Sequence, residues 1–163
     1  MLDVAFLRTL IALTLEAAPF PDPEKAVPLL LGTAAQESGL RSWRQLSDGP
    51  ARGLFQMEPA TERDHWLWLH TRPELRAILE SRAMVRGPDP VHLECNVLYQ
   101  ILLCRLHYFR RDPHPLPGAD DLQGQAQLWK RCYNTLGGAG TTQQYVDTYL
   151  HLVMPGLGGV PRV

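Results

Sequence analysis

The 163-residue chain lacks a dominant charge: 16 basic and 17 acidic residues leave a formal net charge of −1. A chain this neutral has no electrostatic footprint for a dedicated nucleic-acid binder and no reason to cling to an anionic membrane. Cysteine is scarce and odd in number, at positions 95, 104 and 132. Three cysteines do not make a disulfide framework. If Cys95 and Cys104 share one helix they stand roughly 13 Å apart, too far to bridge, so all three read as buried apolar thiols. No apolar run reaches the ~18 residues of a membrane-spanning helix, so no stable membrane insertion is expected. Strand signals are also few. The single Asp48-Gly49 step lies in a polar loop rather than between alternating segments.

What is present is helical. Hydrophobic residues make up 45% of the chain and charged residues 20%, which is the composition of a folded globular protein rather than a disordered one. Leu2, Phe6, Leu7, Leu10, Ile11 and Leu13 repeat at helical spacing. Asp3 and Arg8 break the pattern of a signal peptide, so this segment reads as the first amphipathic helix of the domain. Asp22-Pro23 opens a second helix, with Pro28 kinking or restarting it, and Ser38-Gly39 stops it. A polar loop follows over 39–56. Thr61 with Asp64, and Thr71 with Glu74, read as capping pairs of two short helices. Asp89-Pro90 opens the longest helix, 90–111, apolar nearly all round and therefore central. Further helices are expected over 121–134 and from Thr141 or Thr142 to about Val153. Residues 154–163 read as a poorly ordered tail. The expectation is one all-α domain over 1–163, about seven helices around a long central one, with little or no β-structure.

Glu37 is the carboxylate that stands out. It follows the apolar run LLLGTAAQ and sits where a helix ends. Burial and the negative end of the helix dipole both favour its protonated form. A general acid needs that raised pKa to stay protonated near neutrality. Position alone does not separate this role from that of a surface residue on a last turn.

Two further motifs surround it. The segment GPARGLFQMEPAT holds Gly53, Leu54, Phe55, Gln56, Met57, Glu58, Pro59, Ala60 and Thr61, and KRCYNTLGGAGT holds Tyr133-Asn134 before a Gly-rich turn with Gly137 and Gly138. With Glu37-Ser38, these three motifs resemble the lytic transglycosylases and phage endolysins of the lysozyme-like superfamily. The resemblance spans about residues 30–140, and its flavour is that of phage or prophage proteins. The chain departs from the family in the third motif, where Cys132 replaces an Ala and Thr135-Leu136 replace Ala-Gly, so the role of Asn134 is less secure than that of Tyr133.

The resemblance implies a lysozyme-like fold and cleavage of peptidoglycan glycan strands between N-acetylmuramic acid and N-acetylglucosamine. Glu37 would protonate the glycosidic oxygen, then act as base on the muramyl O6 hydroxyl to give a 1,6-anhydro product. Ser38 would position substrate or acid, and Gln56 would bond the glycan. Tyr133 would orient the Glu37 carboxyl, and Asn134 would fix a loop or a sugar. The Gly53-Leu54 step would let backbone approach the cleft closely, and Gly53 and Phe55 would be among the substrate-binding residues.

A hydrolytic muramidase would want a second carboxylate. Asp48 and Glu58 are the candidates, although Asp48 also reads as a turn residue and Glu58 as a helix-start or ion-pair residue. A non-catalytic glycan-binding or virion module is the other alternative.

Of the four tryptophans, Trp43 is the best placed to stack on a sugar. Trp66 and Trp68 cannot share a helix face, and Trp129 reads as core. The six histidines include no H-E-x-x-H, and His65 and His70 are poorly aligned for a metal. No metal or cofactor is expected. Cys132, beside Lys130 and Arg131, is the only thiol with a basic neighbourhood that would polarise it. A monomer made in the bacterial cytoplasm is expected, reaching the wall through a holin or with virion components.

Overall fold

The computed structural model describes residues 2–45, 48–134 and 138–158. These form an all-α structure with no sheet; its only β-features are isolated bridges between Arg44 and Arg52 and between Arg52 and Met57. Helix α1 (Val4–Glu16) begins at Asp3, whose carboxylate accepts the Phe6 N–H at 2.8 Å. It buries Val4, Leu7, Ile11 and Leu15 at three- and four-residue spacing against α2 (Pro23–Ser38) and α6 (Val97–Arg111). Pro28 leaves α2 unbroken, and the helix stops at Gly39, which takes the left-handed φ of 58° that a C-terminal glycine tolerates.

Helix α3 (Pro59–Leu69) and α4 (Pro73–Arg82) start on their prolines, with Glu58 and Arg72 at the capping positions. The expected Thr61 and Thr71 caps are therefore displaced. Proline carries its own preset φ into the first helical position, and that outweighs a capping box further along. Buried Glu62 fastens α3 to the centre: its Oε1 accepts the Tyr99 hydroxyl at 2.6 Å and the Asp89 N–H at 2.8 Å, and Trp66 donates its indole N–H to the same hydroxyl.

The expected helix over 90–111 is two helices. Asp89 caps α5 (Pro90–Cys95) as its sequence suggests, but Asn96 then adopts an extended conformation. Its side chain accepts the Tyr99 N–H and donates to the Ala83 carbonyl. A capping side chain with a second partner outcompetes one turn of continued helix. Cys95 and Cys104 therefore lie on different helices, the first exposed and the second buried, and all three cysteines are free. The expectation of three buried thiols fails at Cys95. From Tyr99 to Tyr108 every residue of α6 is buried, so α6 is the central helix.

Helix α7 (Leu122–Trp129) runs into a π-helical turn, Lys130–Asn134. Thr141 caps α8 (Thr142–Thr148) in a full capping box with Gln144. A second π-helical turn (Tyr149–Val153) and a last helical turn (Met154–Gly156) follow. Within the segment expected as a tail, Met154 packs on the core and Gly156 closes on Val4. Residues 159–163 lie outside the described ones. No helix among the described residues is long and apolar enough to cross a membrane.

Candidate active site

The end of α2 is clamped before it reaches Glu37. Thr33 bonds the Tyr108 hydroxyl at 2.7 Å, and Tyr145 donates to the Leu29 carbonyl at 3.1 Å. Gly32 makes room for that contact, since a β-carbon there would lie 2.1 Å from the Tyr145 hydroxyl oxygen. Small buried Ala34 and Ala35 complete the turn. The next carboxylate in the chain is therefore delivered by a rigid element.

The motif around Gly53 is anchored from α6. Buried Gln100 accepts the Leu54 N–H at 2.8 Å and donates to the Glu94 carbonyl at 2.9 Å. Gly53 holds a φ of 75°, and a β-carbon there would lie 2.6 Å from both Gln100 Cδ and the Leu93 carbonyl oxygen. Only glycine fits both the conformation and the space. Gln56 follows with a φ of 46°, its amide donating to the Gly53 carbonyl at 2.8 Å. The same amide nitrogen also donates to the Ser42 carbonyl at 3.4 Å, which uses both of its N–H groups and leaves the amide oxygen as the group that can meet a ligand.

These elements enclose a cleft of about 440 Å³ lined by Glu37, Gln56, Glu58, His107, Tyr133 and Asn134, among others. Five of the nine residues singled out from the sequence thus share one cavity. Gly53 and Phe55 support it from behind, Phe55 being buried while its carbonyl accepts the Tyr133 hydroxyl at 2.7 Å.

Ser38 does not line the cleft. Its hydroxyl donates to the Ala34 carbonyl and accepts the Leu40 N–H, finishing the helix rather than facing substrate. Asp48 lies outside the lining, exposed at the loop tip with a φ of 56°. Glu58 is exposed, lines the cleft, and makes no capping bond to α3. Trp43 is 38% exposed and is not among the lining residues. Gly137 lies outside the described residues.

Glu37 is held by a residue that sequence reading assigned to the core. Trp129 donates its indole N–H to Glu37 Oε1 at 2.8 Å. Burial pushes the Glu37 carboxyl up to about 7, and the Trp129 hydrogen bond works in the opposite direction. Tyr133, expected to orient this carboxyl, instead spends its hydroxyl on Phe55 and sets its ring tilted against Tyr108 and edge-on to His107. A rule that would have singled out Trp129 is that a buried indole N–H needs an acceptor, and Glu37 is one of few carboxylates on a largely apolar stretch.

His107 was also missed. It lies in a directed chain of buried donors. Arg110, paired with Asp64 at 2.9 Å, can only donate, so His65 Nδ1 accepts from it at 2.7 Å. His65 Nε2 then donates to His107 Nδ1 at 3.1 Å, and His107 Nε2 donates to the Cys132 carbonyl at 2.9 Å. The chain ends in the π-helical turn that carries Tyr133 and Asn134. Lys130 braces the same turn, donating to Asn134 Oδ1 and to the Gly138 carbonyl, both at 2.8 Å.

Cys132 does not fit a nucleophile. Burial raises its thiol pKa and outweighs the favourable charge of Arg131, whereas an activated thiol needs the reverse. Among the described residues no three His, Cys, Asp or Glu side chains are grouped to hold a metal ion. Comparison of the chain with family models, with curated proteins and with solved structures returns no match.

Proposed function

We propose that the chain cleaves peptidoglycan glycan strands between N-acetylmuramic acid and N-acetylglucosamine, as a lysozyme-like lytic transglycosylase of phage or prophage type, with Glu37 as the acid and then the base. One observation carries this reading. Three motifs distant in sequence, at Glu37, at Gly53–Gln56 and at Tyr133–Asn134, converge on a single cleft whose carboxyl titrates near neutrality.

The chemistry follows from that carboxyl. A group with a pKa of about 7 is present in both forms at neutral pH, so one residue can give a proton and take one back. Protonated Glu37 donates to the glycosidic oxygen as the C1–O bond breaks. The resulting carboxylate accepts the proton of the muramyl O6 hydroxyl as that oxygen bonds to C1. The neighbouring N-acetyl group stabilises the positive charge at C1 in the interval, which substrate-assisted glycosidases allow without a second carboxylate. The Gln56 amide oxygen and the Asn134 side chain are the polar groups placed to orient the sugars.

A hydrolytic reading keeps the same bond and the same acid. What favours it is Glu58, a solvated carboxylate on the lining of the same cleft that would activate water in place of O6. A non-catalytic glycan-binding or virion module has less support, since such a module has no use for a buried acid.

Purified protein is expected to release soluble fragments from peptidoglycan, and Glu37→Gln to lose at least ~10²-fold in rate. Equal release by both proteins overturns the assignment of Glu37. Mass spectrometry of the products separates the two readings: anhydromuramyl ends mark the transglycosylase, reducing muramyl ends the hydrolase.

A further inference from the structure

We propose that Trp129 is the positioning residue of Glu37: its indole N–H holds Oε1 as a fixed acceptor, so the proton of the acid form sits on Oε2. This rests on the reading of Glu37 as the acid, and it adds which oxygen reacts and what holds the other.

The argument starts from what an indole can do. Its N–H donates and never accepts, so the oxygen it bonds cannot at the same time be the protonated one pointing along that bond. The carbonyl oxygen of a neutral carboxyl is the better acceptor, so the bond favours Oε1 as that oxygen and Oε2 as the protonated one. Among the described residues Oε2 has no hydrogen-bond partner, and it is not among the buried polar atoms left unpaired. It is the oxygen open to the cleft that Glu37 lines.

The indole can impose this because it cannot move. Trp129 is buried in a small core of its own with Ala126, Tyr145 and Val146. Its ring lies 5.5 Å from that of Tyr145, whose hydroxyl is tied to the Leu29 carbonyl on α2. On another side Gly140 closes on it, where a β-carbon would lie 2.6 Å from the ring edge. Donor and acceptor are thus fixed to the same frame, α2 on one side and α7 on the other. Trp129 is also the last residue of α7, where the backbone widens into the π-helical turn of Tyr133 and Asn134. The acid and the sugar-facing turn are positioned by one joint.

The hydrogen bond also bears on ionisation. It is stronger to a carboxylate than to a neutral carboxyl, so it opposes burial and keeps the group able to release its proton near neutrality. Without it the acid would hold its proton more tightly and would be a poorer proton donor to the glycosidic oxygen in the first half of the reaction.

The test reads the carboxyl directly and needs no glycan. Protein carrying 13C-labelled glutamate carboxyls is titrated by NMR, with Glu37→Gln used to assign the Glu37 signal. Trp129→Phe keeps the ring and removes the donor. Its Glu37 midpoint is expected about one unit above that of the wild type, and an unchanged or lowered midpoint overturns the proposal.

A second measurement needs only the wild type. The Trp129 indole N–H resonance is expected to titrate with the Glu37 midpoint and to become flat in Glu37→Gln; a wild-type indole signal flat from pH 5 to 9 overturns the proposal even if Trp129→Phe fails to fold. Peptidoglycan assays are run on the same samples. If the indole and carboxyl titrate together but no glycan is cleaved, the functional reading fails and the positioning role stands.

Discussion

The hydroxyl of Tyr133 donates to the carbonyl of Phe55 at 2.7 Å, joining two motifs 78 residues apart. The bond fixes the floor of the cleft to one wall and leaves the Glu37 carboxyl to Trp129. Tyr133→Phe removes one partly buried hydrogen bond and leaves the Phe55 carbonyl unpaired, which costs about 1 kcal/mol. Denaturant unfolding is expected to show that loss. Steady-state kinetics are expected to show a raised KM with a smaller change in kcat and an unshifted pH profile. A profile displaced along the pH axis would mean that Tyr133 acts on Glu37 after all.

Ser38 gives a sharper contrast between motif and geometry. Its hydroxyl serves the Ala34 carbonyl and the Leu40 N–H. Ser38→Ala should therefore lower stability by about 1 kcal/mol while the folded fraction keeps wild-type KM and kcat. A large loss of kcat in a fully folded variant would restore Ser38 to the substrate.

Why some of this was legible and some was not has a physical pattern. Periodic apolar spacing located α1, and local chemistry located the Asp89 and Thr141 caps, because each depends on residues within one turn. Glu37, Gln56 and Tyr133 were singled out through their motifs, and all three line the cleft. The break at Asn96 was not, since it depends on the carbonyl of Ala83, 13 residues away. Trp129 was not, since its acceptor is 92 residues away. The Tyr133 hydroxyl bonds Phe55 rather than Glu37 for the same reason: a hydroxyl's partner is set by tertiary placement, and the motif carries only its identity.

Gly53 should tolerate no side chain. Gly53→Ala meets Gln100 and the Leu93 carbonyl at 2.6 Å in a conformation with φ of 75°. Both the overlap and the backbone strain act together, so a loss of about 2–4 kcal/mol is expected. The displaced loop carries Gln56, so activity should fall beyond what the unfolded fraction explains. Thermal unfolding and kinetics on the same sample check this; a variant with unchanged Tm would mean that the loop yields freely.

Glu37 is expected to cost stability where it is useful. Its folded pKa is about 7, against 4.5 for the free side chain. Between those values the folded state binds the extra proton, so stability from this group is present at low pH and is lost as pH rises toward 7. Glu37→Gln should then be more stable than wild type above pH 7, on the order of 1–3 kcal/mol, while losing activity. Equal stability of the two proteins across pH 4–8 would mean that the carboxyl is not desolvated as its surroundings require.

The histidine chain has the opposite sign and becomes readable once Glu37 is removed. Burial, then the neighbouring His107 and the charges of Arg110 and Arg111, hold His65 down to about 2; burial and the same two arginines hold His107 down to about 4, with the Cys132 carbonyl and Asp64 acting against this. The folded state therefore keeps both rings neutral, while the unfolded chain protonates them below about 6.5. As pH falls from 6.5 toward 4 the unfolded state takes up protons that the folded state refuses, and stability falls with it. In a Glu37→Gln background, unfolding free energy is expected to decline by at least ~1.4 kcal/mol per pH unit from this pair, the slope of one linked proton. His107→Gln, which keeps a donor for the Cys132 carbonyl, should reduce that slope by one proton's worth. A slope unaffected by the substitution would mean that His107 is protonated or exposed in the folded state, and that the Arg110–His65–His107 chain does not run in the direction its donors dictate.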